Sequence, residues 1–296
     1  MPPIYLAAAL PPPDGAPGLA LACWRAMVLG IVQGLTEFLP ISSTAHLKAA
    51  PVLLGWGDPG VAVTAVLQLG SVGAVLAYFR RDLRQLSLGL LQGLRQRNLN
   101  APEARLGLAI AVGTVPVLLA GLTIQLFFYE AYTASVLRSL TGIGVVSMVM
   151  AALLALAERL GRRRHSLAQV SVTAGWLLGL AQMLALAPGV SRSGSTLTAA
   201  LLMGWQRVAA ARFSFLLGIP AITIAGLAEV KEALADSSLG GALPLLVGVS
   251  SAALFSWLAI AWLLRFLQRH STWVFVLYRL GFGVLLLVVS VGGSGG

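Results

Sequence analysis

The sequence predicts an all-α polytopic membrane protein, built as an inverted-topology repeat with two re-entrant helix-loop-helix segments and about seven spanning helices. Three observations carry that prediction. Of 296 residues, 58% are hydrophobic and only 10% are charged, against about 25% charged in a soluble domain; mean hydropathy is +0.88. Apolar segments of spanning length recur along the chain. Two shorter apolar segments are interrupted by helix breakers, hydroxyls and ionisable groups, the mark of a re-entrant element. The net charge of +10 would suggest nucleic acid in a soluble protein. Here the arginines lie in short loops between apolar stretches, so orientation in a bilayer accounts for them and no nucleic-acid partner is expected. Cys23 is the single cysteine, so no intrachain disulfide can form.

Residues 1–20 lack a basic n-region, and Pro11-Pro12-Pro13-Asp14-Gly15 interrupts their apolar run. They read as a disordered extension rather than a signal peptide. A single membrane domain then covers 21–292. Its first repeat, about 24–157, opens with a short broken segment at 24–39 and continues with spans at 61–79, 107–128 and 136–157. Its second repeat, about 168–292, holds spans at 168–187, 211–228, 243–265 and 274–292, with a second broken segment at 190–204. Each span has the 17–25 residues or so that cross a bilayer. Residues 293–296 read as a flexible tail.

Charge tests this layout. Arg80, Arg81, Arg84, Arg95, Arg97 and Arg105 separate two spans; Arg159, Arg162, Arg163 and Arg164 follow another. Arg207 and Arg212 flank the second broken segment, and Arg265 and Arg269 follow 243–265. All these loops fall on one face if each broken segment enters and leaves from its own side. That face is cytoplasmic by the positive-inside rule. The other face receives Glu130 and the loop Glu229, Lys231, Glu232, Asp236. Opposed broken segments place a site near the midplane, where half-helix N-termini meet.

The second broken segment reads Pro188-Gly189-Val190-Ser191-Arg192-Ser193-Gly194-Ser195-Thr196. Pro188-Gly189 ends one helix and Ser191 caps the next. The free N–H groups and positive dipole end make an anion site. Ser191, Ser193, Ser195 and Thr196 add donors, and Arg192 adds a fork suited to phosphate oxygens. The first broken segment reads Gln33-Gly34-Leu35-Thr36-Glu37-Phe38-Leu39-Pro40-Ile41-Ser42-Ser43-Thr44-Ala45-His46. Pro40 stops one helix, Ser42 or Ser43 caps the next, and Ser42 and His46 share a face. Glu37 can act as a base or hold a cation, and His46 as base, acid or nucleophile. A glycine- and serine-rich turn with a snorkelling arginine, or a packing histidine, is the plainer reading, but neither needs these groups side by side. His165 and His270 sit in basic loops and have no such neighbours. An anion cradle, a cationic clamp, a nucleophile and an acid/base group together fit phosphoryl chemistry; acyl transfer has less use for a fixed arginine.

At these residues the chain closely resembles the undecaprenyl-diphosphate phosphatase family, also called the bacitracin-resistance protein family. The stretches at 34–46 and 188–196 carry the likeness, supported by Gln68-Leu69-Gly70, Phe213-Ser214-Phe215-Leu216-Leu217 and Tyr278-Arg279. The resemblance implies a multi-pass hydrolase of the bacterial plasma (inner) membrane that converts undecaprenyl diphosphate to the monophosphate and inorganic phosphate. It implies recycling of the carrier lipid for peptidoglycan synthesis, bacitracin resistance, dependence on a divalent cation such as magnesium or calcium, homodimers, and a site open to the outer side. By position, Glu37, His46 and Arg192 match the family's key polar residues, and Ser43 matches a serine proposed as nucleophile. Ser42, Thr44, Ser191, Ser193, Gly194, Thr196 and Gln33 are the candidate substrate contacts, and Glu37 is the candidate metal ligand. One departure bears on that ligand. Gln33 stands where the family usually has a first glutamate, and an amide is neither a base nor an anionic ligand. The nucleophile stays open among Ser43, His46 and a water. A lipid transporter using the same cradle is the rival reading, although binding alone needs neither Glu37 nor His46. The type-2 phosphatidate phosphatases need a second motif histidine, which His165 and His270 do not supply.

Overall fold

The computed structural model describes residues 18–57, 60–228, 230 and 241–292. Nearly all of the expected extension, the acidic loop beyond 228 apart from Val230, and the expected tail lie outside them. The helices are α1 Leu19–Glu37, α2 Ser43–Leu53, α3 Val61–Tyr78, α4 Arg80–Arg95, α5 Pro102–Phe127, α6 Tyr129–Thr133, α7 Leu140–Leu160, α8 Val172–Met183, α9 Arg192–Leu202, α10 Arg207–Ala228, α11 Ala242–Arg269 and α12 Trp273–Gly292. Six are long and apolar enough to cross a membrane, and α3 with α4, bent by 74°, makes a seventh candidate.

The two broken segments are helical hairpins with opposite entry. In the first, α1 ends at Glu37 and α2 returns from Ser43. Its open end is marked by the Arg25 guanidinium, 5.6 Å from the Trp56 ring. In the second, α8 and a 3-10 turn at Leu184–Leu186 lead to the break, and α9 returns from Arg192. Its open end is closed where Gly204 O accepts the amides of Arg164 and His165. The tips meet: Ser193 Oγ donates to Leu39 O at 2.9 Å, and Arg192 pairs with Glu37. So α1 satisfies a spanning length, yet its C-terminal end abuts the other tip. The expected span at 168–187 is the first arm of the second hairpin. Its α-helix has 12 residues because Ser171 caps it at one end and the 3-10 turn ends it at the other.

Small residues let the arms pack closely, as in membrane helix pairs generally. A Cβ on Gly30 would lie 2.2 Å from Gly248 O, and one on Gly34 2.7 Å from Ala252 O, both in α11. The second repeat does the same: a Cβ on Gly175 would lie 2.3 Å from Ala109 O and one on Gly179 2.2 Å from Gly113 O, both in α5. Thus α1 on α11 and α8 on α5 are related pairs, and α7 packs on α12.

The arginine loops gather at one end. Buried Glu158 accepts from Arg163, Arg207 and, at 2.8 Å, Thr272 Oγ1, while Arg212 pairs with Asp82. The basic stretch after Tyr78 is not a loop but the amphipathic α4, which presents Leu88, Leu91 and Leu94 outward.

Candidate active site

Each returning helix starts from a serine held at positive φ. Ser42 has φ 76° and Ser191 φ 71°, a conformation that costs on the order of 1–3 kcal/mol for a residue with a Cβ. Ser191 Oγ accepts from Gly194 N at 3.1 Å, as an N-cap should; Ser42 makes no such bond. The turns are fixed by a residue to which the sequence reading gave no role. Arg279 of α12 is 1% exposed. It donates to the carbonyls of Pro40 (2.9 Å), Val190 (3.1 Å), Gly189 (2.6 Å) and Ser147 (3.2 Å). One guanidinium therefore satisfies carbonyls of both breaks, groups that would otherwise be orphaned in the interior. A lone arginine amid an apolar span is itself a signal of function, and was visible at 274–292.

Between the tips lies a cavity of about 190 Å³ lined by Glu37, Ser42, Ser43, Thr44, Gly189, Ser191 and Arg192, by Gln68 and Gln182, and by apolar residues of α5 and α10. The N-terminal ends of α2 and α9 both border it, so backbone dipoles favour an anion there.

Glu37, 5% exposed, is the hub. Its Oε2 accepts from Ser43 Oγ at 2.6 Å and Gln33 Nε2 at 3.1 Å. Its Oε1 accepts from Arg192 Nη2 at 3.1 Å and Gln68 Nε2 at 3.4 Å. Gln33 also reaches Ser71 Oγ at 3.3 Å. Ser43 and Glu37 thus stand as a hydroxyl and an acceptor within proton-transfer reach. Arg192 donates its other arm to Ser214 O at 3.1 Å and lies over the Phe38 ring at 5.9 Å. Its seat is Gly218, where a Cβ would fall 1.6 Å from Nη1.

Most of the other expected residues stand behind this wall. His46 contacts Ser42 O through Nδ1 and the Tyr278 hydroxyl through Nε2, each at 2.7 Å, and stacks on Phe282 at 4.1 Å. With Nδ1–H donating to the carbonyl, Nε2 accepts from Tyr278. Ser193 bridges the two tips, and Gly194 leaves room for Arg279 Nη1, 2.9 Å from where its Cβ would sit. Thr196 pairs with Ser214 Oγ at 2.5 Å, tying α9 to α10. Gln33 holds Glu37 from outside the cavity lining. Thr44 is exposed and borders the cavity. His165 bridges to Trp205, and exposed His270 stacks on Phe266.

The profile of the family described as Bacitracin resistance protein BacA matches residues 26–285. The chain is 66% identical over 278 residues to a protein of Synechococcus sp. (strain RCC307) named Undecaprenyl-diphosphatase, covering 93% of this chain and 97% of that one. It is 66% identical over 275 residues to the protein of the same name from Parasynechococcus marenigrum (strain WH8102), covering 93% and 96%. A third of that name, from Prochlorococcus marinus (strain MIT 9303), is 65% identical over 269 residues, covering 91% and 92%. The profile match covers both helix breaks, the second hairpin and the first from residue 26 on, together with Arg279, and this chain belongs to the BacA family.

Proposed function

We propose that this chain is a membrane hydrolase that removes the terminal phosphate of undecaprenyl diphosphate, giving undecaprenyl phosphate and inorganic phosphate. In that role it returns the carrier lipid to peptidoglycan synthesis, and raised levels of it confer resistance to bacitracin. The observation that carries the reading is the Ser43–Glu37–Arg192 constellation, 2.6 and 3.1 Å between partners, at the junction of two helix N-termini. Its relatives' shared name points the same way.

In the proposed reaction Ser43 Oγ attacks the terminal phosphorus and passes its proton to Glu37. The bond to the bridging oxygen breaks, and undecaprenyl phosphate leaves. Protonation of Glu37 weakens its hold on Arg192, which then follows the developing charge on the phosphoryl oxygens. Amides at the starts of α2 and α9, with Ser42 and Ser191, supply further donors. Water then attacks the phosphorus, the Ser43 Oγ–P bond breaks, Glu37 returns its proton to Ser43 Oγ, and phosphate leaves with the protons of the water. His46 keeps the 42–43 turn in place through the Ser42 carbonyl. A divalent cation belongs to the same proposal. Glu37 is the single carboxylate on the cavity wall, and no group of three His, Cys, Asp or Glu could hold a metal among the described residues. That donor set suits magnesium or calcium held by one carboxylate and the substrate's own oxygens, where it would neutralise charge on the diphosphate.

We also propose that the arginine end is cytoplasmic in the plasma membrane and that the cavity opens outward. Val117 lies 12 residues beyond Arg105, and Ile222 lies 15 beyond Arg207, so both cavity walls sit about 18–22 Å from the arginine end. Phe38 packs edge-on against Phe215 at 5.1 Å, and Phe215 lies 6.3 Å from Phe79. This aromatic layer closes the arginine side.

The test is phosphate release by the purified protein from undecaprenyl diphosphate. Ser43→Ala should lose about 10³-fold or more, and a trapped phosphoryl group should map to Ser43. A phosphoryl group on His46, or an active Ser43→Ala protein, would overturn the assignment; lipid translocation without phosphate release would replace hydrolysis with transport.

A further inference from the structure

We infer that Gln182 is a substrate-contacting residue, its side-chain amide donating to a phosphate oxygen from the wall of the second hairpin. The inference rests on the diphosphatase reading above.

Gln182 is 0% exposed, lines the cavity, and has no protein partner for either Nε2 or Oε1. A buried amide with both ends unpaired is costly, on the order of 1–3 kcal/mol per group, and needs an explanation.

The repeat supplies one. Gln33 stands nine residues before Ser42, and Gln182 nine before Ser191, the two positive-φ serines. Each glutamine follows a close-packed glycine by three, Gly30 in one case and Gly179 in the other. The two are therefore the same position of the two hairpins. In the first hairpin the amide is occupied, because Glu37 one turn later accepts from it at 3.1 Å. In the second, the residue one turn later is Leu186, which cannot. The donor that one repeat uses to hold its carboxylate is thus left unpaired at the cavity wall in the other. A phosphate oxygen is the acceptor that the neighbouring Arg192 and helix N-termini are set to attract, and Oε1 remains to accept from a water or hydroxyl.

The experiment compares wild type, Gln182→Leu and Gln182→Glu in two readouts. In phosphate release from undecaprenyl diphosphate, Gln182→Leu should lose roughly 10- to 150-fold in kcat/KM, the loss of one hydrogen bond to a charged group. Its melting temperature should stay level or rise, since an apolar isostere removes an unpaired amide. In the second readout, inorganic diphosphate should raise the melting temperature of wild type, and Gln182→Leu should need at least about tenfold more of it for the same shift. A leucine variant within twofold of wild type in both readouts overturns the inference while leaving hydrolysis intact. Wild type that is stabilised by diphosphate but releases no phosphate sinks the hydrolase reading, and the binding comparison still decides Gln182. If the leucine protein does not fold, Gln182→Glu keeps the shape but offers a carboxylate. A tenfold or greater loss upholds the contact, and full activity overturns it.

Discussion

Arg279→Met should lower stability by about 3 kcal/mol and remove most activity, although Arg279 does not line the cavity. The guanidinium serves four carbonyls, those of Pro40, Ser147, Gly189 and Val190. The Ser147 carbonyl keeps its helical bond within α7, whereas leaving the other three buried and unpaired costs about 1–3 kcal/mol each, or about 3–9 together. Removing a buried cation returns several kcal/mol of desolvation, so the middle of the range leaves a net loss of about 3. Against the usual 5–15 kcal/mol, that is a large fraction. At about 2.1 cal/mol/K of unfolding entropy per residue, it corresponds over the 296 residues to a fall of roughly 5 °C. Both positive-φ turns would relax together, so phosphate release should fall before the protein melts. Tryptophan fluorescence during heating in detergent measures the first effect, and turnover well below the melting point the second. Arg279→Lys, which keeps the charge but not the fork, should fall between. An Arg279→Met protein that melts within about 2 °C of wild type and turns over normally would refute the argument that this residue holds the tips.

Three further outcomes are expected. Gly218→Ala places a methyl 1.6 Å from Arg192 Nη1; it should cut kcat/KM about as deeply as Arg192→Ala while the melting temperature moves little, and steady-state kinetics beside a melting curve would check it. Gln33→Glu puts a second carboxylate beside Glu37; a metal titration of phosphate release should show half-activation at lower cation concentration and weaker activity without added metal, because the amide that steadies Glu37 is lost. Gly179→Val would bring its side chain against Gly113 O, 2.2 Å from the Cβ position; separating α8 from α5 should destabilise the protein by more than about 2 kcal/mol, read as a drop in melting temperature.

The apolar spans, the two opposed hairpins and the meeting of their tips were all legible, because hydropathy and helix breakers are local properties of the chain. The arm lengths were not. A continuous apolar run at 168–187 conceals a helix ended early by a serine cap and a 3-10 turn, and α4 read as a loop because its arginines masked its helical period. Within the site, Glu37 and Arg192 were singled out from type and spacing, and Ser43 from the family resemblance. Arg279 and Gly218 were not, since what they do depends on partners far away in sequence. His46 was read by its chemistry, and the structure places it against the Ser42 carbonyl and the Tyr278 hydroxyl, off the cavity lining. Gln182 carries no signal on its own, and its significance emerges only when the two hairpins are superposed.

The placement of Arg279 also sets an order of assembly. Pro40 precedes it by 239 residues. At the upper translation rate of about 20 residues per second, the first tip waits roughly 12 s for the side chain that fastens it. Both breaks are made and inserted before their common anchor exists, so the reacting groups come into register only when α12 enters the bilayer. A chain truncated before α12 would keep both sequence motifs and yet lack a site, which makes synthesis and insertion of α12 the step that switches the protein on.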